Sequence, residues 1–275
     1  MSISCPKCQK ANPDNACFCL NCGATLAATI VQGRTVVASA GPAGISPPAQ
    51  TPPPQMAQPQ SSFTSAPPQS LTDLQNMLPP DSSNSQREHT IFNNDISGSM
   101  SGPFGGGLCK LDASIRACIT MVLEKAQLDP NDEIGLVSFN HNAYRLLDLS
   151  PLYSHKQQII QIIQSLQIDG GTDTNAGLKV SREMFDWSRN DVVRRLVLLT
   201  DGHGGHPLRT AEDLKARGVV IDVIGVGDHP SNVDEKLLRN VASVIDGENR
   251  YRFIKDQQTL VKHYTQLANK TATSA

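Results

Sequence analysis

No apolar stretch in these 275 residues reaches the roughly 18 that a membrane-spanning helix needs. The opening MSISCPKCQK has no hydrophobic signal region, so the expected compartment is the cytoplasm. An excess of charge of one sign is also missing. The 24 Lys and Arg stand against 26 Asp and Glu, a formal net charge of −2, which argues against binding nucleic acid through bulk charge. Cysteine is scarce after residue 22: of seven, only Cys109 and Cys118 lie beyond it. The signatures of common catalysts are absent too. There is no P-loop and no Gly-x-Ser-x-Gly. The Gly-rich run from Gly102 to Gly107 does not directly follow a strand in G-x-G-x-x-G form. It is expected to shape the rim of a binding face, with Phe104 exposed toward a partner.

The remaining five cysteines crowd into the first 22 residues. Cys5-Pro6-Lys7-Cys8 and Cys19-Leu20-Asn21-Cys22 are two C-x2-C knuckles with ten residues between them. Disulfides are not expected in a reducing compartment, so the cluster reads as metal ligation. Four thiolates at this spacing suit one tetrahedral Zn2+, with Cys5, Cys8, Cys19 and Cys22 as ligands and Cys17 outside the set. Residues 1–26 are therefore expected to form a zinc ribbon whose metal supplies its folding energy. Its charges are Lys7, Lys10 and Asp14, and Phe18 is its only aromatic. That is a poor nucleic-acid surface, and a structural or protein-docking knob is the expected role.

Residues 27–88 hold eleven of the chain's 18 prolines, among many Gln, Ser and Ala. Such a composition buries too little surface to fold, and a disordered linker is expected. Ser70 to Leu78 has capping-box spacing and an apolar face, and reads as a transient helix within it.

From His89 the pattern changes to alternating strands and helices, as far as residue 270. His89 to Asp95, Glu133 to Phe139, Val192 to Thr200, Val219 to Val226 and Tyr251 to Ile254 read as strands, with Tyr144 to Leu149 as an antiparallel edge. Helical spacing runs through Leu111 to Ala126, Ile159 to Leu166, Asn175 to Trp187, Ala211 to Ala216, Glu235 to Val244 and Gln257 to Asn269. This predicts an α/β domain: a doubly wound, mostly parallel, Rossmann-like sheet with helices on both faces. In the first strand Asn93 and Asn94 sit where both faces should be buried, so each amide needs internal partners.

Three segments concentrate oxygen donors at the ends of these strands. Asp95-Ile96-Ser97-Gly98-Ser99 puts a carboxylate and two hydroxyls on alternate residues, which point the same way. Gly170-Gly171-Thr172-Asp173-Thr174 is a Gly-rich turn before a helix. Thr200-Asp201-Gly202 follows the apolar run from Leu196 to Leu199. An all-oxygen set suits a hard divalent cation, Mg2+ first, Mn2+ or Ca2+ next.

Taken together, DISGSM, GGTDT and LLTDG, in this order and spacing, resemble the von Willebrand factor type A (VWA) domain and its metal-ion-dependent adhesion site. The resemblance runs from about Arg87 to Leu267. It implies five parallel strands with one antiparallel edge strand. It also implies that Ser97 and Ser99 ligate the metal directly and Thr172 directly or through water. Asp95 and Asp201 would hold coordinated waters, and Asp173 would cap a helix or stand behind the ligands. An ion with no carboxylate bound to it stays electrophilic, so a partner's Asp or Glu can complete its shell. The function implied is a non-enzymatic protein-interaction adaptor. Two alternatives stay open on the sequence. One is a metal-dependent hydrolase using His203 or His206, with His141 the other candidate base. The other is a nucleic-acid-associated factor acting through the ribbon.

Overall fold

The computed structural model describes residues 2–4, 9–13, 86–105, 108–202 and 204–269. The four knuckle cysteines, nearly all of the 27–88 stretch with its Ser70–Leu78 segment, and His203 lie outside the described residues. At the N-terminus β1 (Ser2–Ser4) pairs antiparallel with β2 (Ala11–Pro13).

The principal unit begins with β3 (Glu88–Asp95), whose every residue is buried. A short 3-10 turn (Gly98–Ser101) and a two-residue hairpin, β4 (Pro103–Phe104) with β5 (Leu108–Cys109), lead into α1 (Lys110–Leu128). Next come β6 (Glu133–Phe139), β7 (Ala143–Pro151), α2 (Leu152–Gln164) and α3 (Thr174–Met184). The second half holds β8 (Val193–Thr200), α4 (Leu208–Ala216), β9 (Val219–Val226) and α5 (Glu235–Val241). A small ladder of β10 (Val244–Ile245) with β11 (Glu248–Asn249) precedes β12 (Tyr251–Ile254) and the closing α6 (Gln257–Asn269).

The six-stranded sheet has the order β12-β9-β8-β3-β6-β7, parallel throughout except for β7 at its edge. Side chains alternate between two cores with the period of a strand. Phe92, Val197, Leu199 and Ile224 face α1, α2 and α6. Ile91, Leu196, Leu198 and Ile221 face α3, α4 and α5. Strand β3 connects to β6 on one side, and the chain later returns as β8 on its other side. The carboxyl end of β3 is therefore the topological switch point, where open α/β sheets place their ligands.

The two asparagines of β3 are accommodated differently. Asn94 Oδ1 accepts from Ser114 Oγ at 3.3 Å and Cys118 Sγ at 3.4 Å, both on α1. Asn93 lies against Gly177 of α3, where a Cβ would come within 2.6 Å of its Oδ1, so the helix can pack here only without a side chain.

One expectation is overturned. Phe104 is not offered to a partner: it is 2 % exposed and belongs to the core beneath α6. The hairpin turns it inward because Gly105 bridges to Asp256 and its carbonyl accepts from Gln257 N at 3.1 Å.

At the amino ends of the strands lies a buried ionic cluster that periodicity could not reveal. Arg195, fully buried, pairs with Glu88 at 3.2 Å and Asp222 at 3.3 Å, and donates to the Leu267 carbonyl at 2.7 Å. Lys125 bridges Glu88 at 2.9 Å and Asp132 at 2.8 Å, and Arg250 holds Asp222 at 2.7 Å. Nearby, burial and the Arg189 guanidinium hold the His89 imidazole down at about 4. The unfolded imidazole titrates near 6.5, so between these values the unfolded chain binds more protons. Stability is therefore expected to fall by on the order of 2 kcal/mol as pH drops from 6.5 through 4. Urea unfolding of wild type and His89→Gln across that window should show a shallower slope in the variant.

Candidate metal centre

The site is built on the last residue of β3. Asp95 is fully buried, and both its oxygens are committed. Oδ1 accepts from Ser97 N at 2.8 Å, the local turn an Asp makes with the residue two ahead. Oδ2 accepts from Thr200 Oγ1 at 2.6 Å, which ties the end of β3 to the end of β8. Burial is the largest influence on this carboxyl and pushes it up to about 6, against the hydrogen bonds from Ser97 and Thr200. A nearby cation would favour its ionised form and pull it back down.

From this anchor the two serine hydroxyls converge. Ser97 Oγ and Ser99 Oγ are 3.1 Å apart, and Ser99 Oγ donates to Asp201 Oδ1 at 2.7 Å. Met100, buried in the core, pins the 3-10 turn that carries Ser99. The Gly-Gly-Thr turn is stitched to this loop through backbone bonds: Gly98 N to Gly170 O at 2.9 Å and Asp169 N to Ile96 O at 2.7 Å. Asn140, after β6, braces the same turn from the other side. Its carbonyl accepts from Asp173 N at 2.6 Å and its Nδ2 donates to Asp169 Oδ2 at 3.1 Å. Thr172 lies over Gly202, beside Asp201: its Oγ1 is 3.4 Å from where a Cβ on Gly202 would stand. Asp173 caps α3, accepting from Asn175 N and Ala176 N.

The donor set fits a small divalent ion. Octahedral Mg2+ with oxygens at about 2.1 Å needs neighbouring donors about 3 Å apart, the spacing of the two serine hydroxyls. Among the described residues no group of three or more His, Cys, Asp or Glu is arranged to hold a metal. A site here would rest on hydroxyls, with Asp95 and Asp201 supplying charge.

Two residues at this site escape the sequence reading. Thr200 is part of the Thr-Asp-Gly turn, yet its role as a clamp on Asp95 depends on the register of β8 against β3. Lys110 is the other. Its Nζ lies 2.6 Å from Asp201 Oδ2 and 3.4 Å from the Ser99 carbonyl, with 14 % of the side chain exposed. A signal exists: a lysine opening a 19-residue helix opposes the helix dipole, an arrangement that costs about 0.3–1 kcal/mol.

Two of the candidate bases, His141 and His206, lie among the described residues. His141 packs over Gly170, and His206 lines a groove between α3 and α4. No hydrogen bond joins either to Ser97, Ser99 or Asp201 among the described residues. The groove also holds Lys179, Arg182 and Arg209, with Arg182 paired to Asp213 at 2.6 Å.

Comparison with known proteins bears on this geometry. The profile of the von Willebrand factor type A domain matches residues 91–266. An uncharacterized protein of Synechocystis, sll0103, is 26 % identical over 133 residues, 46 % of this chain and 30 % of that one. The chain thus spans less than a third of that relative's length. A von Willebrand factor type A structure from Catenulispora acidiphila superposes with a TM-score of 0.57 at 20 % identity, over 67 % of this chain and 42 % of that one. Proximal thread matrix protein 1 of the mussel byssus, solved with zinc in its MIDAS (adhesion-site) motif, gives 0.53 at 20 % identity, over 66 % and 47 % of the two chains. At these identities the structural likeness is one of fold. Among the described residues no helix is long and apolar enough to cross a membrane.

Proposed function

Since the chain belongs to the von Willebrand factor type A family, we propose that it is a non-enzymatic adaptor whose metal-ion-dependent adhesion site binds an acidic side chain of a protein partner. The observation that carries this reading is the pair of serine hydroxyls 3.1 Å apart, backed by the buried Asp95 and by Asp201. Ser97, Ser99 and Thr172 would hold Mg2+, or Mn2+ or Ca2+ in its place, and Asp95 and Asp201 would balance its charge. The ion supplies an electrophilic position for a carboxylate. The chain's own residues do the rest. Thr200 and the Ser97 amide fix Asp95, and Met100 holds the turn bearing Ser99. The cations Lys179 and Arg209 in the neighbouring groove favour the approach of an acidic surface. A zinc centre in the mussel relative's corresponding motif supports the ability of such a site to take a divalent ion.

The same reading assigns residues 1–26 to a zinc ribbon ligated by Cys5, Cys8, Cys19 and Cys22. It is joined to the VWA domain at 89–270 through the Pro-, Gln- and Ser-rich residues 27–88, and the protein is cytoplasmic. The antiparallel pairing of β1 with β2 supports the ribbon, since Cys5 and Cys8 fall between those strands in the sequence.

The test is affinity capture from native lysate in Mg2+ and in chelator, beside a Ser97→Ala/Ser99→Ala variant. A protein retained in Mg2+, released by chelator and absent with the variant is the expected result. The same proteins in all lanes would remove the metal site as the binding face. Zinc content of the Ser97→Ala/Ser99→Ala variant, by atomic absorption, reports on the ribbon with the adhesion site removed.

A further inference from the structure

The Lys110 ammonium is aimed at the charge-balancing carboxylate of the candidate metal centre. Asp201 divides its two oxygens: Oδ1 accepts from Ser99, a proposed ligand, and Oδ2 accepts from Lys110 at 2.6 Å. The Asp201 side chain is only 1 % exposed, so this ion pair works in a poorly screened setting. The lysine is held there by the fold. Its backbone N donates to Gly102 O at 3.1 Å, its stem passes alongside Gly102, and the β4–β5 hairpin fixes the helix start from which it reaches back.

We propose that Lys110 is an internal cation that competes with the divalent ion for Asp201 and sets the affinity of the site. This rests on the adhesion-site reading. The formal charges of Asp95 and Asp201 sum to −2, which a divalent ion alone would cancel. With Lys110 in place the loaded site carries one positive charge, in a part-buried setting where like charges are only partly screened. The ion is therefore held weakly until an anion arrives. A partner's carboxylate supplies the missing negative charge, so metal and partner each strengthen the binding of the other. Without Lys110 the ion would be tighter and the demand for an acidic partner smaller.

The experiment uses the full chain, Mn2+ as the probe followed by electron paramagnetic resonance, and thermal unfolding in chelator and in saturating Mg2+. Lys110→Met and Lys110→Gln are each expected to tighten Mn2+ about tenfold, and Lys110→Arg to leave it near wild type. In chelator the neutral variants should unfold at a lower temperature than wild type, since Asp201 then loses its partner. In Mg2+ that deficit should vanish or reverse. Binding to Lys110→Met alone, with none to wild type, would support the proposal in its strongest form. Equal Mn2+ affinity in wild type and both neutral variants would overturn it while leaving the adhesion-site reading standing. No binding to any variant would overturn both.

Discussion

Arg195→Ala should destabilise the VWA domain by about 3–5 kcal/mol, the cost of removing one partner from a buried ionic pair. Three acids (Glu88, Asp132, Asp222) and three bases (Lys125, Arg195, Arg250) share the cluster, and Arg195 joins Glu88, Asp222 and the Leu267 carbonyl of α6. Burial already raises the Asp222 carboxyl above its ordinary range, against the pull of Arg195 and Arg250. Without Arg195 that carboxylate keeps Arg250 but loses its second counterion, and the Leu267 carbonyl loses a donor. The measurement is urea unfolding, where the midpoint should fall with the slope unchanged. For a domain of this size the same loss lowers the melting temperature by about 6–20 °C. The cluster lies at the opposite end of β3 from Asp95. The folded fraction of the variant should therefore bind Mn2+ as wild type does, and a change in both would show that the two ends are coupled.

The second large effect concerns the site directly. A methyl group added by Gly204→Ala would stand 2.3 Å from the Thr172 carbonyl oxygen and 3.0 Å from its carbonyl carbon. Both are backbone atoms, so relief requires the Thr-Asp-Gly loop and the Gly-Gly-Thr turn to part. Thr172 then withdraws from Asp201, and a displacement of about 1 Å is enough to disable a preorganised site. The expected outcome is at least a tenfold loss of Mn2+ affinity, about 1.4 kcal/mol, with thermal unfolding in chelator altered far less. Thr172→Ala should cost a similar amount. The double variant should cost little more than either, because both act through one group. Additive losses would separate Gly204 from Thr172.

Much of this domain could be read before its structure was seen, for a local reason. Strands β6, β9 and β12 and helix α6 have the expected bounds because their apolar runs begin and end with the element. Residues 154–158 of α2 are all polar, so apolar periodicity starts late and the helix begins seven residues earlier than Ile159 implies. What stayed hidden is pairing across the fold. Phe104 looked exposed because its Gly-rich surroundings say nothing of the Asp256 bridge that turns it inward. The ionic cluster draws its six members from six different elements or loops. At the candidate site, Asp95, Ser97, Ser99, Thr172 and Asp201 could be picked out from the sequence because they stand in compact motifs, and the fold brings those motifs together. Lys110 and Thr200 could not, since each acts on a residue about 90 to 105 positions away.

The clamp between Thr200 and Asp95 has a consequence for how the chain matures. Its two ends are 105 residues apart in sequence and meet only when β8 has been laid beside β3. A ribosome-bound chain that stops short of residue 193 can pair β3 with β6 and seat the Asp-x-Ser-x-Ser turn on the Gly-Gly-Thr turn, but it lacks both the Thr200 clamp and Asp201. On the adhesion-site reading, divalent ions would bind chains in which β8 is in place far more tightly than any earlier intermediate. An ion present at a hundred times its dissociation constant adds about 2.7 kcal/mol to the native state alone. On that reading the ion would act late, as a lock on a domain whose β8 is in place, and a partner would find its docking point only on such chains.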